Sequence, residues 1–177
     1  MSEILTFTKK MFNPLQPDAE LIDIRDIAHA LCFLCRANGH FPTFHSVAQH
    51  SLECQQEAKM RGLSKRLQLA CLLHDGSEAY LSDVTRPVKA EMPLYLKLEE
   101  PLQEAIWNKF LGSALTEAER KIVFGIDDDM LHHEFFAHTG YRIAKEDPQL
   151  SSNPTYGFVP FEQVEQAFLD AFEELIK

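Results

Sequence analysis

Apolar residues recur every three or four positions along most of the chain after residue 25, which is the spacing of one face of an α-helix. The last segment shows it most clearly, with a stripe made of Phe161, Val164, Phe168, Ala171, Phe172 and Leu175. Capping signals separate the earlier helices. Asp26 precedes a run that Gly39 ends, Ser46 precedes a second run, and Thr116 with Glu119 forms a capping box. The pattern therefore predicts an all-α bundle.

Two further helices are predicted between these, and a small ribbon before them. The first is one continuous helix over residues 64–83, and the second runs from about Pro93 to Phe110 with Pro101 as a kink or break. Short alternating stretches at residues 4–8 and 21–24 flank a turn-rich segment and favour a two-stranded β-ribbon. We expect one domain over residues 1–177, with a ribbon at about 1–25, a helical core at about 26–140 and a C-terminal helix at about 160–176.

The charge balance narrows the range of partners. The 177 residues contain 17 basic and 27 acidic side chains, a net charge of −10, which disfavours polymeric nucleic acid and anionic membranes as partners. The N-terminus lacks a signal-peptide core, and no apolar run reaches the length of a membrane helix. A cytoplasmic protein with reduced thiols is expected, and Cys32 and Cys35 are interpreted as a buried helix face rather than a zinc or redox site. A homodimer through the C-terminal helix is possible, but that helix could equally pack on its own core.

Ionisable residues interrupt several apolar stripes, which is costly unless they are paired or bind something. His74 and Asp75 follow an apolar run and share a predicted helix with Glu78 one turn later. His50 lies in the stripe of the second helix, and Asp127 is on the inward face of the fifth. Taken singly, each histidine is more often a satisfied core residue. Taken together, imidazole and carboxylate are the ligand types of divalent transition metals.

The order H…HD…D, with the surrounding segments SVAQHS, LLHDGSEAYLSDVTRPVK and D-x-x-M-L-x-x-E, resembles the HD-domain metal-dependent phosphohydrolases. The similarity covers about residues 20–135 and is greatest to the bacterial branch of 5′-deoxynucleotidases and their uncharacterised relatives. It implies an HD-domain helical bundle holding one divalent ion (Mn, Co, Zn, Ni, Fe or Mg). The ligands that it implies are His50, His74, Asp75 and Asp127.

The resemblance also implies roles for the neighbouring residues. Glu78 matches the acidic catalytic residue, Asp83 a sugar-contacting position, and Arg36 an arginine that holds substrate. The nucleotidases follow that arginine with Trp, whereas this chain has Ala37. Cations such as Arg86 and Lys89 are candidates for binding phosphate, or are surface loop charges.

The expected activity is hydrolysis of a small phosphorylated metabolite, foremost a (deoxy)nucleoside 5′-monophosphate, by attack of a water bound to the metal. Three alternatives stay open: an alarmone (guanosine polyphosphate) hydrolase, a catalytically silent metal- or nucleotide-binding module, and a purely structural bundle. The alarmone branch typically has an ED pair where this chain has Glu78–Ala79. Among the other histidines, His29 and His40 are candidate pocket residues, and His132 and His133 are expected on the surface or pocket rim. The zinc-protease motif HExxH, which would begin at His133, is absent because position 137 is Ala.

Overall fold

The computed structural model describes residues 3–146 and 148–177, and over this part of the chain the prediction of a mostly α fold with a small N-terminal ribbon is confirmed. Eight α-helices and two short strands lie within it. The strands are β1 (Ile4–Leu5) and β2 (Met11–Phe12), and the helices are α1 (Ile24–Phe33), α2 (Val47–Met60), α3 (Lys65–Leu72), α4 (Glu78–Leu81), α5 (Arg86–Lys89), α6 (Pro93–Leu111), α7 (Glu117–Thr139) and α8 (Phe161–Ile176).

The ribbon differs from the prediction in its second strand. β1 pairs antiparallel with β2, and residues 21–24 lead into α1 instead. The N-cap of α1 is Asp23, whose carboxylate accepts the backbone N–H of Arg25, so the predicted cap at Asp26 is wrong. Asp26 accepts hydrogen bonds from the backbone N–H and the hydroxyl of Thr8. A buried carboxylate therefore anchors the hairpin to the helical core.

Helix α2 lies at the centre of the bundle, in contact with α1, α3, α7 and α8. The capping box predicted at Thr116 is present, and Ser46 forms another with Gln49 at the start of α2. Helix α8 buries Val164, Phe168, Phe172 and Leu175 against the bundle. Of the two alternatives for the C-terminal helix, its apolar face thus covers the chain's own core. Among the described residues, no helix combines the length and apolar character needed to cross a membrane.

The predicted continuous helix over residues 64–83 is wrong, because α3 ends at Leu72 and α4 begins at Glu78. The break is stabilised from α6: the Gln103 amide donates to the carbonyl of Leu73 and accepts the backbone N–H of Ser77, at 2.8 and 3.0 Å. Gly76 packs closely there, since an added Cβ would lie 3.0 Å from the Leu73 carbonyl oxygen and 3.3 Å from Ile106. His74 and Asp75 therefore lie in a turn and share no helical face with Glu78.

Two other features of the helices differ from the prediction. Helix α1 ends at Phe33 instead of Gly39, and residues 36–39 form a tight turn in which Ala37 and Asn38 have positive φ. Cys32 is buried in α1, whereas Cys35 lies beyond its end and is half-buried. The shared buried helix face predicted for the two cysteines is therefore correct for Cys32 alone. Pro101 lies inside an unbroken α6.

Candidate metal centre and adjoining cavity

Four side chains from three parts of the fold converge on one point. His50 comes from α2, His74 and Asp75 from the turn before α4, and Asp127 from α7. Nε2 of His50 lies 3.0 Å from Oδ1 of Asp127 and 4.0 Å from Oδ2 of Asp75. Nε2 of His74 lies 3.2 Å from Oδ2 of Asp75 and 3.6 Å from Oδ1 of Asp127. The structure thus brings together all four residues that the resemblance implied as ligands.

The orientation of His74 is fixed by the backbone. Its Nδ1–H donates to the Cys71 carbonyl at 2.7 Å, so Nε2 is the nitrogen that faces Asp75 and Asp127. Nε2 of His74 and Oδ2 of Asp75 are both buried, and neither has a hydrogen-bond partner within the part of the chain that the structure describes. Buried polar atoms are rarely left unpaired. These two are the atoms that a bound cation would satisfy.

The donor separations fit a metal ion. Ligands about 2.1 Å from one ion lie roughly 3.0–3.4 Å from their neighbours in octahedral or tetrahedral geometry. Two of the four separations, 3.0 and 3.2 Å, fall in that range, and the other two, 3.6 and 4.0 Å, are longer. The mixed imidazole–carboxylate set suits divalent transition metals. Among the described residues, the groups of three or more donors whose ligand atoms all lie within 4.8 Å of one another are His50, Cys54 and His74, and His45, Glu53 and Glu134. Buried donors of this protein could therefore hold a metal ion.

The protonation states favour the carboxylates over the thiol as partners of the two histidines. Burial, with nearby carboxylates adding to it, raises the pKa of Cys54 well above its usual value, so the thiol stays neutral. Burial also works to raise the pKa of Asp75, but the nearby charge of His74 brings it down to about 2. The hydrogen bond from His50 and the charge of His74 likewise outweigh burial and hold the pKa of Asp127 well below its ordinary range.

Glu134 belongs to the candidate site, although the sequence assigned it no role beyond its place in the D-x-x-M-L-x-x-E motif. It is fully buried, and its Oε1 accepts a short hydrogen bond from Nδ1 of His50. Its Oε2 accepts one from Arg36 at 3.1 Å. A carboxylate that holds the far nitrogen of a ligand histidine fixes the ring and its tautomer. The available signal was its spacing, since Glu134 shares the inward face of α7 with Asp127.

Arg36 faces the site but is engaged by protein carboxylates. Its side chain is 11% exposed, bonded to Glu134 and 3.8 Å from Oδ2 of Asp75. It also lines a cavity of about 980 Å³ beside the site. The structure therefore shows Arg36 bridging two acids of the site, and a contact with substrate stays a prediction.

Glu78 begins α4 and is almost completely buried. Its Oε1 accepts a hydrogen bond from Lys89 at 3.2 Å, and Lys89 also donates to Glu99 at 2.7 Å. Its Oε2 is buried without a hydrogen-bond partner among the residues described. Burial, followed by the charges of Asp75 and Asp83, raises the pKa of Glu78 well above the ordinary carboxylate value.

The cationic side of the site is built by α5. Arg86 donates to Asp127 at 2.5 Å and makes a shorter contact with Asp128. Arg86 and Lys89 are thus both ion-paired at the site, one to an implied metal ligand and the other to Glu78. Asp83 precedes α5, and burial raises the pKa of its carboxyl group.

A cavity of about 980 Å³ adjoins these groups. Its wall includes every predicted site residue except the fully buried His50: Arg36, His74, Asp75, Glu78, Asp83, Arg86, Lys89 and Asp127. The remainder is largely apolar, with Phe41, Leu96, Trp107, Phe124, Leu131 and Phe135. His29 stacks on Phe7 and bonds Glu165, and His40 is exposed. Neither of these candidate pocket histidines lines this cavity.

No family model matches the sequence. The chain is 36% identical over 110 residues to the uncharacterized protein YfdR of Escherichia coli (strain K12), which covers 62% of this chain and 59% of that protein. It is 39% identical over 101 residues to an uncharacterized protein of Rhodobacter capsulatus, covering 54% of this chain and 52% of the relative. The matched region thus spans a little more than half the length of these relatives.

Proposed function

We propose that this protein is an HD-type metal-dependent phosphohydrolase that removes phosphate from a small phosphorylated metabolite, foremost a (deoxy)nucleoside 5′-monophosphate. The observation that carries the proposal is the convergence of His50, His74, Asp75 and Asp127, with unsatisfied donor atoms, at the wall of a cavity that also contains Glu78. The resemblance of the surrounding motifs to the 5′-deoxynucleotidases supports the choice of substrate class.

Two imidazoles and two carboxylates would hold one divalent cation, which supplies a Lewis acid that lowers the pKa of water and offsets phosphate charge. His74 is prepared for this role because its Nδ1–H is bonded to the Cys71 carbonyl. Glu134 prepares His50 in the same way. Both rings can then present Nε2 without rearrangement.

Glu78 is the group for proton transfer. Burial keeps the pKa of its carboxyl group high, and general acid–base groups work best with a pKa near the operating pH. Lys89 donates a hydrogen bond to Oε1 of Glu78, and Oε2 is buried without a hydrogen-bond partner among the described residues. Glu78 can therefore take a proton from the attacking water or deliver one to the leaving alkoxide.

The rest of the cavity wall suits a monophosphate with a largely uncharged leaving group. Arg86 and Lys89 place two positive charges at the site, where a transferring phosphoryl group needs them. The apolar side chains of Phe41, Leu131 and Phe135 line the same cavity and would exclude water around a base or sugar.

The test is an activity panel on the metal-stripped full chain after addition of Mn²⁺ or Co²⁺. Deoxynucleoside 5′-monophosphates are expected to release inorganic phosphate only when metal is present, and a guanosine polyphosphate is expected to release pyrophosphate more slowly, which added pyrophosphatase converts to phosphate for detection. Preferential turnover of the guanosine polyphosphate would favour the alarmone alternative. Metal binding with no release of phosphate or pyrophosphate from any substrate would contradict the enzyme and leave the silent module.

A further inference from the structure

A second set of metal-ligating side chains lies behind His50, on the side of its Nδ1. It consists of His45, Glu53 and Glu134, whose candidate ligand atoms all lie within 4.8 Å of one another. Nε2 of His45 is 3.4 Å from Oε2 of Glu53 and 3.6 Å from Oε1 of Glu134. The 3.4 Å separation is at the upper end of the range for neighbouring ligands about 2.1 Å from one ion, and the 3.6 Å separation is slightly above it.

The cluster is buried and unsatisfied. The side chains of His45 and Glu134 are fully buried, and that of Glu53 is 13% exposed. Both ring nitrogens of His45 and Oε2 of Glu53 have no hydrogen-bond partner among the residues that the structure describes. A buried imidazole with neither nitrogen bonded is uncommon, and here it lies between two carboxylates. The unsatisfied atoms point to a missing cation.

The cationic neighbours of the cluster lie on the side of Glu134. Arg36 and His50 both face Glu134, whereas no hydrogen bond within the described chain reaches Oε2 of Glu53. The rings of His138 and Tyr156 lie 5.1 and 5.7 Å from that of His45. Burial lowers the pKa of His138 and raises that of Tyr156, so both are neutral near pH 7.

Glu134 can serve both sites because a carboxylate offers about four lone-pair positions. Oε1 can keep the His50 hydrogen bond while a second lone pair of the same oxygen faces His45. A second cavity, of about 320 Å³, includes His45 in its lining together with Arg36, Phe41 and Phe44.

We propose that His45, Glu53 and Glu134 bind a second divalent cation, distinct from the one at His74 and linked to it through the Glu134–His50 contact. An ion here would lock the carboxylate that orients His50, so it would act as a structural site. The proposal does not depend on the hydrolase activity, because it concerns binding of the ion alone.

The experiment counts Mn²⁺ ions per chain by elemental mass spectrometry after chelator treatment and dialysis against Mn²⁺. Wild type is expected to retain two, and both Glu53→Gln and His74→Ala one each. Glu162→Gln, which changes an exposed glutamate of α8, is expected to retain two. An ion lost in Glu53→Gln but kept in His74→Ala supports the second site even if the first proves wrong.

A Glu53→Gln variant that binds as many ions as wild type overturns the proposal and leaves a buried network of ion pairs. If circular dichroism shows that this variant does not fold, the second site is tested in crystals of the wild-type protein. In crystals grown with Mn²⁺, an anomalous peak is expected between Nε2 of His45 and the Glu53 carboxylate. A map with density only at His74, or with none, removes the second site.

Discussion

Nδ1–H of His50 donates to the buried carboxylate of Glu134, and Nε2 of the same ring faces Asp127 at 3.0 Å. One side chain thus connects a carboxylate deep in the core to the candidate metal centre. Such outer partners commonly raise the basicity of the ligand nitrogen and fix its direction. Glu134 is for this reason part of the candidate centre, together with the residues proposed to bind the ion.

We expect Glu134→Gln to lower Mn²⁺ affinity at the His74 site by about 10- to 100-fold, because the neutral amide holds His50 less strongly. The affinity is measured by titration calorimetry in a Glu53→Gln background, which isolates the ion at His74. The control is Glu117→Gln, an exposed position on the same helix. Equal affinities in the two variants would show that Glu134 does not support the centre.

Metal binding should release protons and strengthen as the pH rises. Burial opposes protonation of His74, but Asp75 and Asp127 outweigh it and raise the pKa of His74 well above its usual value. The metal-free ring therefore carries a proton near pH 7 that an ion must displace. Affinity is expected to rise about tenfold per pH unit for each proton released. Calorimetry in buffers of different ionisation enthalpy measures the number of protons released per ion bound. A value of zero would contradict the prediction.

Glu78→Gln should reduce phosphate release by about 10²- to 10⁴-fold, the usual contribution of a proton-transferring group, while Mn²⁺ binding is retained. Release of phosphate and ion content are measured on the same preparation. Glu91→Gln, an exposed position outside the cavity, is the control. Unchanged turnover in Glu78→Gln would remove this residue from the mechanism.

Arg86→Gln should affect substrate and metal in opposite directions. Loss of a charged hydrogen bond to phosphate, about 1.5–3 kcal/mol, should raise KM about 10- to 100-fold. Metal affinity should rise, since the guanidinium of Arg86 is paired with Asp127 and repels a cation beside it. Steady-state kinetics and calorimetry give the two values. The control is Lys97→Gln, which removes an exposed charge elsewhere. A fall of metal affinity in Arg86→Gln but not in Lys97→Gln would show that Arg86 does not repel the ion.

A separate prediction concerns stability at acid pH. Burial works to raise the pKa of Glu57, but hydrogen bonds from Ser151, Ser152 and Arg61 lower it to about 2. This carboxylate therefore stabilises the fold above pH 4.5 and ceases to do so as the pH falls towards 2. Glu57→Gln should cost about 1–3 kcal/mol of unfolding free energy at pH 7. Urea unfolding should show this difference shrinking with acidification, and a difference independent of pH would contradict the assignment.

The helical period was sufficient to predict most of the helices and the inward direction of Asp127, because α7 is long and regular. It failed at His74 and Asp75, where the local sequence reads as helix. The break there is stabilised by Gln103, whose amide bonds the Leu73 carbonyl and the Ser77 N–H from another helix. A contact between residues about 30 positions apart leaves no trace in local periodicity.

Long-range contacts also explain why the pairing of Arg36 with Glu134 could not be predicted from the sequence. Each was visible as a charged residue near a motif, but their mutual bond joins positions separated by 98 residues. Local pattern could indicate that Glu134 faces inward, not that it would hold both His50 and Arg36. Long-range polar pairing is therefore the part of this site that required the structure.

The turn at residues 73–77 has a thermodynamic consequence. Adjacent residues of a regular helix point about 100° apart, whereas this turn lets Nε2 of His74 and Oδ2 of Asp75 lie 3.2 Å from each other. The turn that holds the two neighbours together is fixed by Gln103 and Gly76. In the proposed metal centre, two of the four ligands are therefore brought together by folding, so the conformational entropy of gathering them is not a cost of binding the ion.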